Sequence, residues 1–182
     1  MTLAAGAPAG RPPVARLPGV GTLTRIRFWL VVFVIGLVLS GVTAFPLQSE
    51  AGLLVRILHA SPAPDVAPWL VDWIDRVHTG LEATYRDYPF MAYGTDWLAF
   101  AHLVIAIAFW GPLRDPVRNV WVVQFGMIAC LAVVPLALIA GPIRGLPWWW
   151  LLIDISFGMF GIIPLLVAYK YIRRLAPSTV AG

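Results

Sequence analysis

The chain has 182 residues, of which 60% are hydrophobic and only 12% are charged, and its formal net charge is +4. Soluble domains average roughly 45–50% apolar and about 25% charged residues, so this composition excludes an ordinary soluble domain and predicts a membrane protein. The single cysteine excludes an intramolecular disulfide and any paired-cysteine redox or zinc motif. No phosphate loop, dinucleotide fingerprint or nucleic-acid motif is present, so no nucleic-acid partner is expected. Abundant Arg, Ala, Gly and Pro indicate GC-rich codons and a bacterial source.

The chain order predicts one transmembrane domain between two tails. Residues 1–24 combine Ala, Pro and Gly with scattered Arg, which predicts a disordered cytoplasmic tail, and 175–182 form a second tail. Between them, 25–174 carry four apolar stretches long enough to cross about 30 Å of hydrocarbon. We therefore predict an all-α polytopic membrane protein, an up-down bundle of four transmembrane helices at about 28–47, 97–113, 120–143 and 148–171.

The first span has an alternative interpretation as a cleaved signal peptide. A basic tail precedes it, and Val42-Thr43-Ala44 resembles a small-residue cleavage site. The preceding tail is very long, however, and Pro46 follows the site closely. These two features favour a span that is retained in the protein.

The segment 48–95 is the one long stretch between spans, and it predicts one or two external amphipathic helices. Ser49 and Asp65 are plausible N-caps for them. Their apolar faces would lie at the bilayer interface or dock on the bundle, and the two outcomes are compatible. At helical spacing these faces consist of Leu53, Leu54, Ile57 and Leu58 in the first helix, and of Leu70, Trp73, Ile74, Val77 and Leu81 in the second.

The basic residues predict the orientation. With the N-terminus inside, nine of the 13 basic residues lie in the cytoplasm and the other four lie outside. The positive-inside rule therefore selects a plasma (inner) membrane protein with both termini cytoplasmic. The external segment then carries most of the acidic side chains.

Two ionisable residues within the predicted spans are candidates for a site. Asp154 is the only acid inside a span, and His102 lies in the second span. Each follows the outer end of its helix by six residues, at a depth of roughly 9 Å for a rise of about 1.5 Å per residue. Small residues line the same stripes, Gly158 beside Asp154 and Ala106 beside His102, which predicts that both stripes face the bundle.

The resulting hypothesis is an outward-facing polar pocket. Ser40 and Thr43 of the first span lie at a comparable depth and complete the candidate set with His102 and Asp154. Arg144 and Tyr93 are candidates for its rim. The alternative is a purely structural hydrogen bond between His102 and Asp154 that fixes two helices and satisfies both groups.

Other chemistries find less support in the sequence. The chain has three histidines, and two of them, His59 and His78, lie in the external segment, so neither a two-histidine haem nor a three-histidine metal site is expected. A Ser40–His102–Asp154 catalytic set rests on depth alone. We therefore expect no catalytic residue, no metal and no cofactor.

The sequence ranks three classes of function. A non-enzymatic accessory or assembly subunit, or a small-ligand binder, comes first. A small transporter or proton-handling component that uses the His102 and Asp154 pair comes second, and a membrane-bound haem or quinone redox protein comes third. The expected partners are the lipid bilayer and, as an open alternative, other membrane subunits or further copies of the chain.

Overall fold

The computed structural model describes residues 20–175, so the tail segments at 1–19 and 176–182 lie outside the described residues. The described part is helical and contains no strand, which confirms the predicted all-α class. Its α-helices are α1 (Val20–Ala44), α2 (Leu47–His59), α3 (Ala63–Val66), α4 (Pro68–Asp87), α5 (Ala92–Ala108), α6 (Trp110–Arg114), α7 (Val120–Ile143) and α8 (Trp148–Leu175), and a 3-10 turn (Pro89–Met91) precedes α5.

Four helical segments of the described residues are long and apolar enough to cross a membrane, and they correspond to the four predicted spans. They are Gly21–Ala44, Pro89–Arg114, Val120–Ile143 and Trp148–Leu175. α1 begins at Val20, within the stretch assigned to the tail, because Ile26 and Leu30 are fully buried and helical packing extends the helix towards the N-terminus.

The four spans form a square arrangement with one open edge. α1 packs extensively on both α5 and α8, and α8 packs on α7, whereas α5 has no extensive contact with α7. α2 and α4 pack against each other as a helical hairpin, and we call the side of the domain that carries α2 to α4 the hairpin side. The side that carries the α6–α7 link is called the terminal side.

The open edge closes only at the terminal side. Phe109, the residue between α5 and α6, is fully buried, and its ring centroid lies 4.8 Å from that of Phe33. In addition, Arg27 donates a hydrogen bond from Nε to the Leu113 carbonyl, 3.0 Å away, and joins α1 to α6. The buried cluster at this side unites all four spans through Ile26, Leu30, Phe109, Val122, Val123, Leu165, Ala168 and Ile172.

α2 and α4 pack against each other and form a helical hairpin. A Cβ added at Gly52 would lie 2.9 Å from the Nε2 atom of His78, so the glycine lets the two helices approach. At the other end of the pair, His59 Nε2 lies 2.9 Å from Asp75 Oδ2. The structure thus contains both predicted amphipathic helices.

The two amphipathic faces have different surroundings. α4 buries Val71 and Ile74, so its apolar face is docked. The face of α2 that holds Leu53, Leu54 and Ile57 is exposed in the monomer. One face therefore packs against protein as predicted, and contact of the other face with lipid at the interface stays a prediction.

A tryptophan cluster connects the hairpin with the start of α8. The ring of Trp69 lies 4.7 Å from that of Trp149, and Trp73 lies 6.0 Å from Trp150. The Trp69–Trp149 pair is edge-to-face, and aromatic pairs of this kind stabilise beyond the area they bury. The cluster therefore anchors the hairpin to the transmembrane domain.

Candidate functional site

The open edge of the bundle contains a cavity of about 600 Å³. Side chains from α1, α5, α7 and α8 line it, and nearly all of them are apolar. Ser40 and His102 are its two side chains with nitrogen or oxygen atoms, apart from Trp29, and Cys130 contributes a thiol. The cavity is therefore an apolar chamber with a few polar atoms, in contrast to the polar pocket that the sequence predicted.

Glycines set the close contact between α7 and α8 on one side of the cavity. A Cβ at Gly158 would touch the backbone oxygen of Cys130, and a Cβ at Gly141 would touch the Leu151 side chain. Small residues let transmembrane backbones approach in this way. The stripe that carries Asp154 and Gly158 consequently faces α7.

A single glycine sets the contact between α1 and α5 on the other side. A Cβ at Gly41 would lie 3.0 Å from the Ala99 carbonyl oxygen and 3.0 Å from the His102 Cβ. This contact fixes His102 against α1 near Ser40. The predicted stripe of Ala99 and His102 thus faces the bundle, but it faces α1.

The hydrogen bond of His102 determines which ring nitrogen is free. Its Nδ1 lies 2.7 Å from the Leu98 carbonyl oxygen, which can only accept, so Nδ1 carries the proton. In the neutral ring, Nε2 is then an acceptor, and no described residue hydrogen-bonds to it. The cavity wall therefore carries an imidazole of fixed tautomer with one unpaired lone pair.

The structure brings two of the four predicted site residues, His102 and Ser40, to one cavity. Asp154 and Thr43 are not among its lining residues, and within residues 20–175 no hydrogen bond or ion pair joins Asp154 to His102. Because α1 stands between α5 and α8, the two polar stripes meet different neighbours. Whether the pair acts together in function stays a prediction.

Thr43 and the two rim candidates lie elsewhere. The Thr43 hydroxyl donates to the Leu39 carbonyl at 2.9 Å, a bond within its own helix. Arg144 is exposed at the end of α7, and Tyr93 lines a separate depression beside α5. Neither rim candidate lines the large cavity.

Two residues important for the site, Gly41 and Phe109, were missed in the sequence. Phe109 continues the Ala99–His102–Ala106 stripe at helical spacing, so the periodicity contained the signal. Gly41 follows Ser40 directly, but it lies on a neighbouring face of α1, about 100° around the helix, so the depth of Ser40 did not indicate its contact with α5. No group of three His, Cys, Asp or Glu side chains that could hold a metal ion occurs among the described residues.

Comparison with protein families, curated proteins and solved structures finds no match to this chain. The functional assignment therefore rests on the geometry of the cavity.

Proposed function

We propose that this membrane protein is a non-enzymatic binder of a small apolar ligand that carries a hydroxyl head group. The observation that supports the proposal is the apolar cavity of about 600 Å³ that His102 lines, because the Nε2 of this side chain has no hydrogen-bond partner among the described residues. Ligand sites are typically concave, mostly apolar cavities with a few polar groups that fix orientation. The volume lies within the roughly 300–1,000 Å³ range of such sites.

The polar atoms of the cavity define the head group. A neutral His102 with its proton on Nδ1 accepts a hydrogen bond at Nε2, so it suits a hydroxyl donor, and the Ser40 hydroxyl is a second polar contact. The remaining lining suits hydrocarbon. The ligand class is therefore a membrane-soluble alcohol or quinol with a hydrophobic chain.

The open edge supplies the route of entry. α5 and α7 have no extensive contact, so a ligand dissolved in the hydrocarbon can enter between them. Cavity-lining aromatic side chains such as Phe125, Phe157 and Phe160 are also exposed on the lateral surface. Apolar ligands partition into the bilayer and do not need an aqueous entrance.

The test is the identity and amount of lipid that co-purifies with the protein, measured by mass spectrometry. Gly36 lines the cavity, and a Cβ there meets no atom within 4 Å, so the side chain of Gly36→Leu has room to begin and would occupy the chamber. Gly21→Leu is the matched control, because Gly21 is equally open but does not line the cavity. We expect Gly36→Leu and His102→Phe to lose the ligand while Gly21→Leu retains it. Equal retention by all three variants would contradict the proposal.

A second candidate, haem binding, is favoured by the same hydrogen bond. Histidines that bind a metal commonly donate their other ring nitrogen to a backbone carbonyl, as His102 does to Leu98. A visible spectrum of the purified protein distinguishes the two functions. A Soret band that His102→Ala abolishes would show that the protein binds haem, and haem binding would then replace lipid binding as the proposed function.

The proton-handling alternative requires an exchange between His102 and Asp154, which form no hydrogen bond in the described structure. Separate Asp154→Asn and His102→Ala variants in proton-flux assays of proteoliposomes test it. Loss of flux in both, with thermal stability unchanged, would favour this alternative. The accessory-subunit alternative predicts co-purification of other membrane proteins in mild detergent, and a chain that runs alone at monomer size would count against it.

We further propose that the protein lies in the plasma (inner) membrane of a bacterium with both termini in the cytoplasm. The excess of basic residues on the terminal side supports this orientation, because cytoplasmic loops are enriched in Lys and Arg. Reporter fusions at residues 60–65 and at the C-terminus test it. A cytoplasmic signal from the fusion at 60–65 would reverse the orientation.

A further inference from the structure

A second depression, of about 320 Å³, lies on the hairpin side and has a different chemistry from the large cavity. Its lining consists of one carboxylate, Asp96, and four aromatic rings, those of Phe45, Tyr93, Trp97 and Phe100. Phe45 directly follows α1, and the other four residues belong to the first half of α5. Two neighbouring helices thus build the site together.

Helical spacing brings the α5 side chains to one face. Tyr93, Asp96, Trp97 and Phe100 stand at positions i, i+3, i+4 and i+7, which share a face of an α-helix. His102 lies six residues after Asp96 and projects from a different face of α5. The depression is therefore independent of the cavity and of the function proposed for it.

Neighbouring rings of α5 in the depression are nearly perpendicular to each other. Tyr93 and Trp97 have centroids 6.0 Å apart and planes at 79°, and Trp97 and Phe100 are 5.7 Å apart at 88°. Each of these rings is more than half exposed, so its surface is available to a ligand. Phe45, which directly follows α1 and is 49% exposed, contributes the fourth ring.

Asp96 has no compensating charge. Within residues 20–175 it forms no ion pair and no hydrogen bond, whereas Asp87, at the end of α4, pairs with Arg86. An unpaired carboxylate beside aromatic rings creates a negative potential to which both the charge and the ring faces contribute. The aromatic belt at a membrane interface explains exposed rings, but it does not explain an acid among them.

We propose that this depression binds a quaternary ammonium group. A quaternary ammonium has no N–H donors to satisfy, so aromatic faces and one carboxylate are sufficient partners for it, whereas a primary ammonium needs up to three acceptors. The group can belong to a lipid head group at the hairpin side of the bilayer or to a small solute such as choline. Both sources present the same trimethylammonium cation.

The experiment has one arm for each source and uses the full chain. In the first arm, choline and tetramethylammonium are titrated by calorimetry into protein in phosphatidylglycerol nanodiscs. In the second arm, native mass spectrometry compares retention of phosphatidylcholine with retention of phosphatidylglycerol from an equimolar mixture. Asp96→Asn and Trp97→Leu are the test variants. Asp72→Asn, at an exposed carboxylate outside the depression, and Trp121→Leu, at an exposed aromatic residue on the terminal side, are the matched controls.

We expect the wild type and both controls to bind in at least one arm and the test variants to bind at least about tenfold more weakly. Binding in the first arm without a preference for phosphatidylcholine in the second identifies a solute, and a preference for phosphatidylcholine in the second arm identifies a lipid head group. Trp97→Leu keeps the test decisive if Asp96→Asn does not purify as a monodisperse protein. Binding in neither arm, or test variants that bind as tightly as the wild type, would overturn the proposal.

Discussion

The contact of α7 with α8 and the contact of α1 with α5 are built differently. α7 and α8 meet along glycines: the missing Cβ of Gly158 makes room for the Cys130 backbone, and those of Gly126 and Gly141 make room for leucine side chains of α8. α5 packs along α1, with its closest approach at Gly41, and joins the buried cluster of the terminal side through the ring of Phe109. α7 and α8 are thus in close contact at several levels, whereas α5 is attached to α1 and, at the terminal side, to the buried cluster.

The difference explains where the cavity lies. Hydrocarbon solvates apolar side chains as well as protein does, so transmembrane helices associate through packing and hydrogen bonds rather than through the hydrophobic effect. Where small residues allow close packing, the helices stay together. Where two spans do not pack closely, as between α5 and α7, a gap remains that a lipid-soluble ligand can fill.

The largest effect is expected from Gly158→Leu on the closely packed side. The new Cβ would collide with the backbone oxygen of Cys130, which cannot move without shifting α7. We expect loss of the folded protein or a loss of more than about 2 kcal/mol of stability, measured by thermal unfolding or steric trapping in bicelles. Gly36→Leu is the control, since its Cβ meets nothing within 4 Å. Equal stability of the two variants would show that α7 and α8 are not in close contact.

The second effect concerns the attachment of α5 at the terminal side. Phe109→Ala removes the fully buried ring that contacts Phe33, and large-to-small core changes of this kind cost about 3 kcal/mol. We also expect faster protease cleavage of the α6–α7 link, because α6 is held in part through Phe109. Phe28→Ala, at a 59% exposed position of α1, should change stability by less than about 0.5 kcal/mol. A Phe109→Ala variant as stable as Phe28→Ala would refute the attachment.

A smaller effect is expected at the seam of α1 and α5. Gly41→Ala introduces a methyl group 3.0 Å from the Ala99 oxygen, so the helices must separate by a few tenths of an ångström. The expected loss of stability is about 1 kcal/mol by thermal unfolding. Gly21→Ala, at an open position of the same helix, should be neutral or slightly stabilising because alanine has the higher helix propensity. If both variants have the same thermal stability, the closest contact of α1 with α5 does not lie at Gly41.

The smallest effect is expected in the hairpin. His59 and Asp75 lie 2.9 Å apart, but their side chains are 51% and 40% exposed, so solvent screens the pair. Asp75→Asn should lower stability by less than about 1 kcal/mol in a thermal unfolding assay. A loss above 2 kcal/mol would indicate that the hairpin depends on this pair more than on its buried residues Val71 and Ile74.

The sequence predicted the features that depend on local patterns. Long uncharged stretches identified all four spans, and the apolar periodicity of α2 and α4 predicted both hairpin helices, because these signals require only neighbours along the chain. The small-residue stripe beside His102 also predicted that this side chain faces the bundle. Such a stripe does not determine which helix it meets.

The arrangement of the site required information that the sequence pattern lacks. Equal depth and inward-facing stripes suggested that His102 and Asp154 meet, but the order of helices around the square decides it. α1 packs between α5 and α8, so the stripe of His102 meets Gly41 and the stripe of Asp154 lies along α7. Similarly, the bond from His102 to Leu98 fixes a tautomer that only the geometry of the helix reveals.

Cysteine cross-linking compares the two sides of the domain most directly. The single native cysteine, Cys130, has its Sγ 3.2 Å from where a Cβ at Gly161 would lie, so Gly161→Cys reports the contact of α7 with α8. His102→Cys with Val133→Cys, in a Cys130→Ser background, reports the distance across the cavity. Both residues line it, and each lies seven residues from the contact of Phe109 with Gly126.

Disulfide formation is measured by protection from maleimide after mild oxidation and denaturation. We predict that Gly161→Cys forms a disulfide with Cys130 within the time of the assay. His102→Cys and Val133→Cys should stay reduced and become linked only by a long bifunctional reagent, since a disulfide needs Cα atoms within about 7 Å. A rapid disulfide between positions 102 and 133 would contradict the open edge and the cavity behind it.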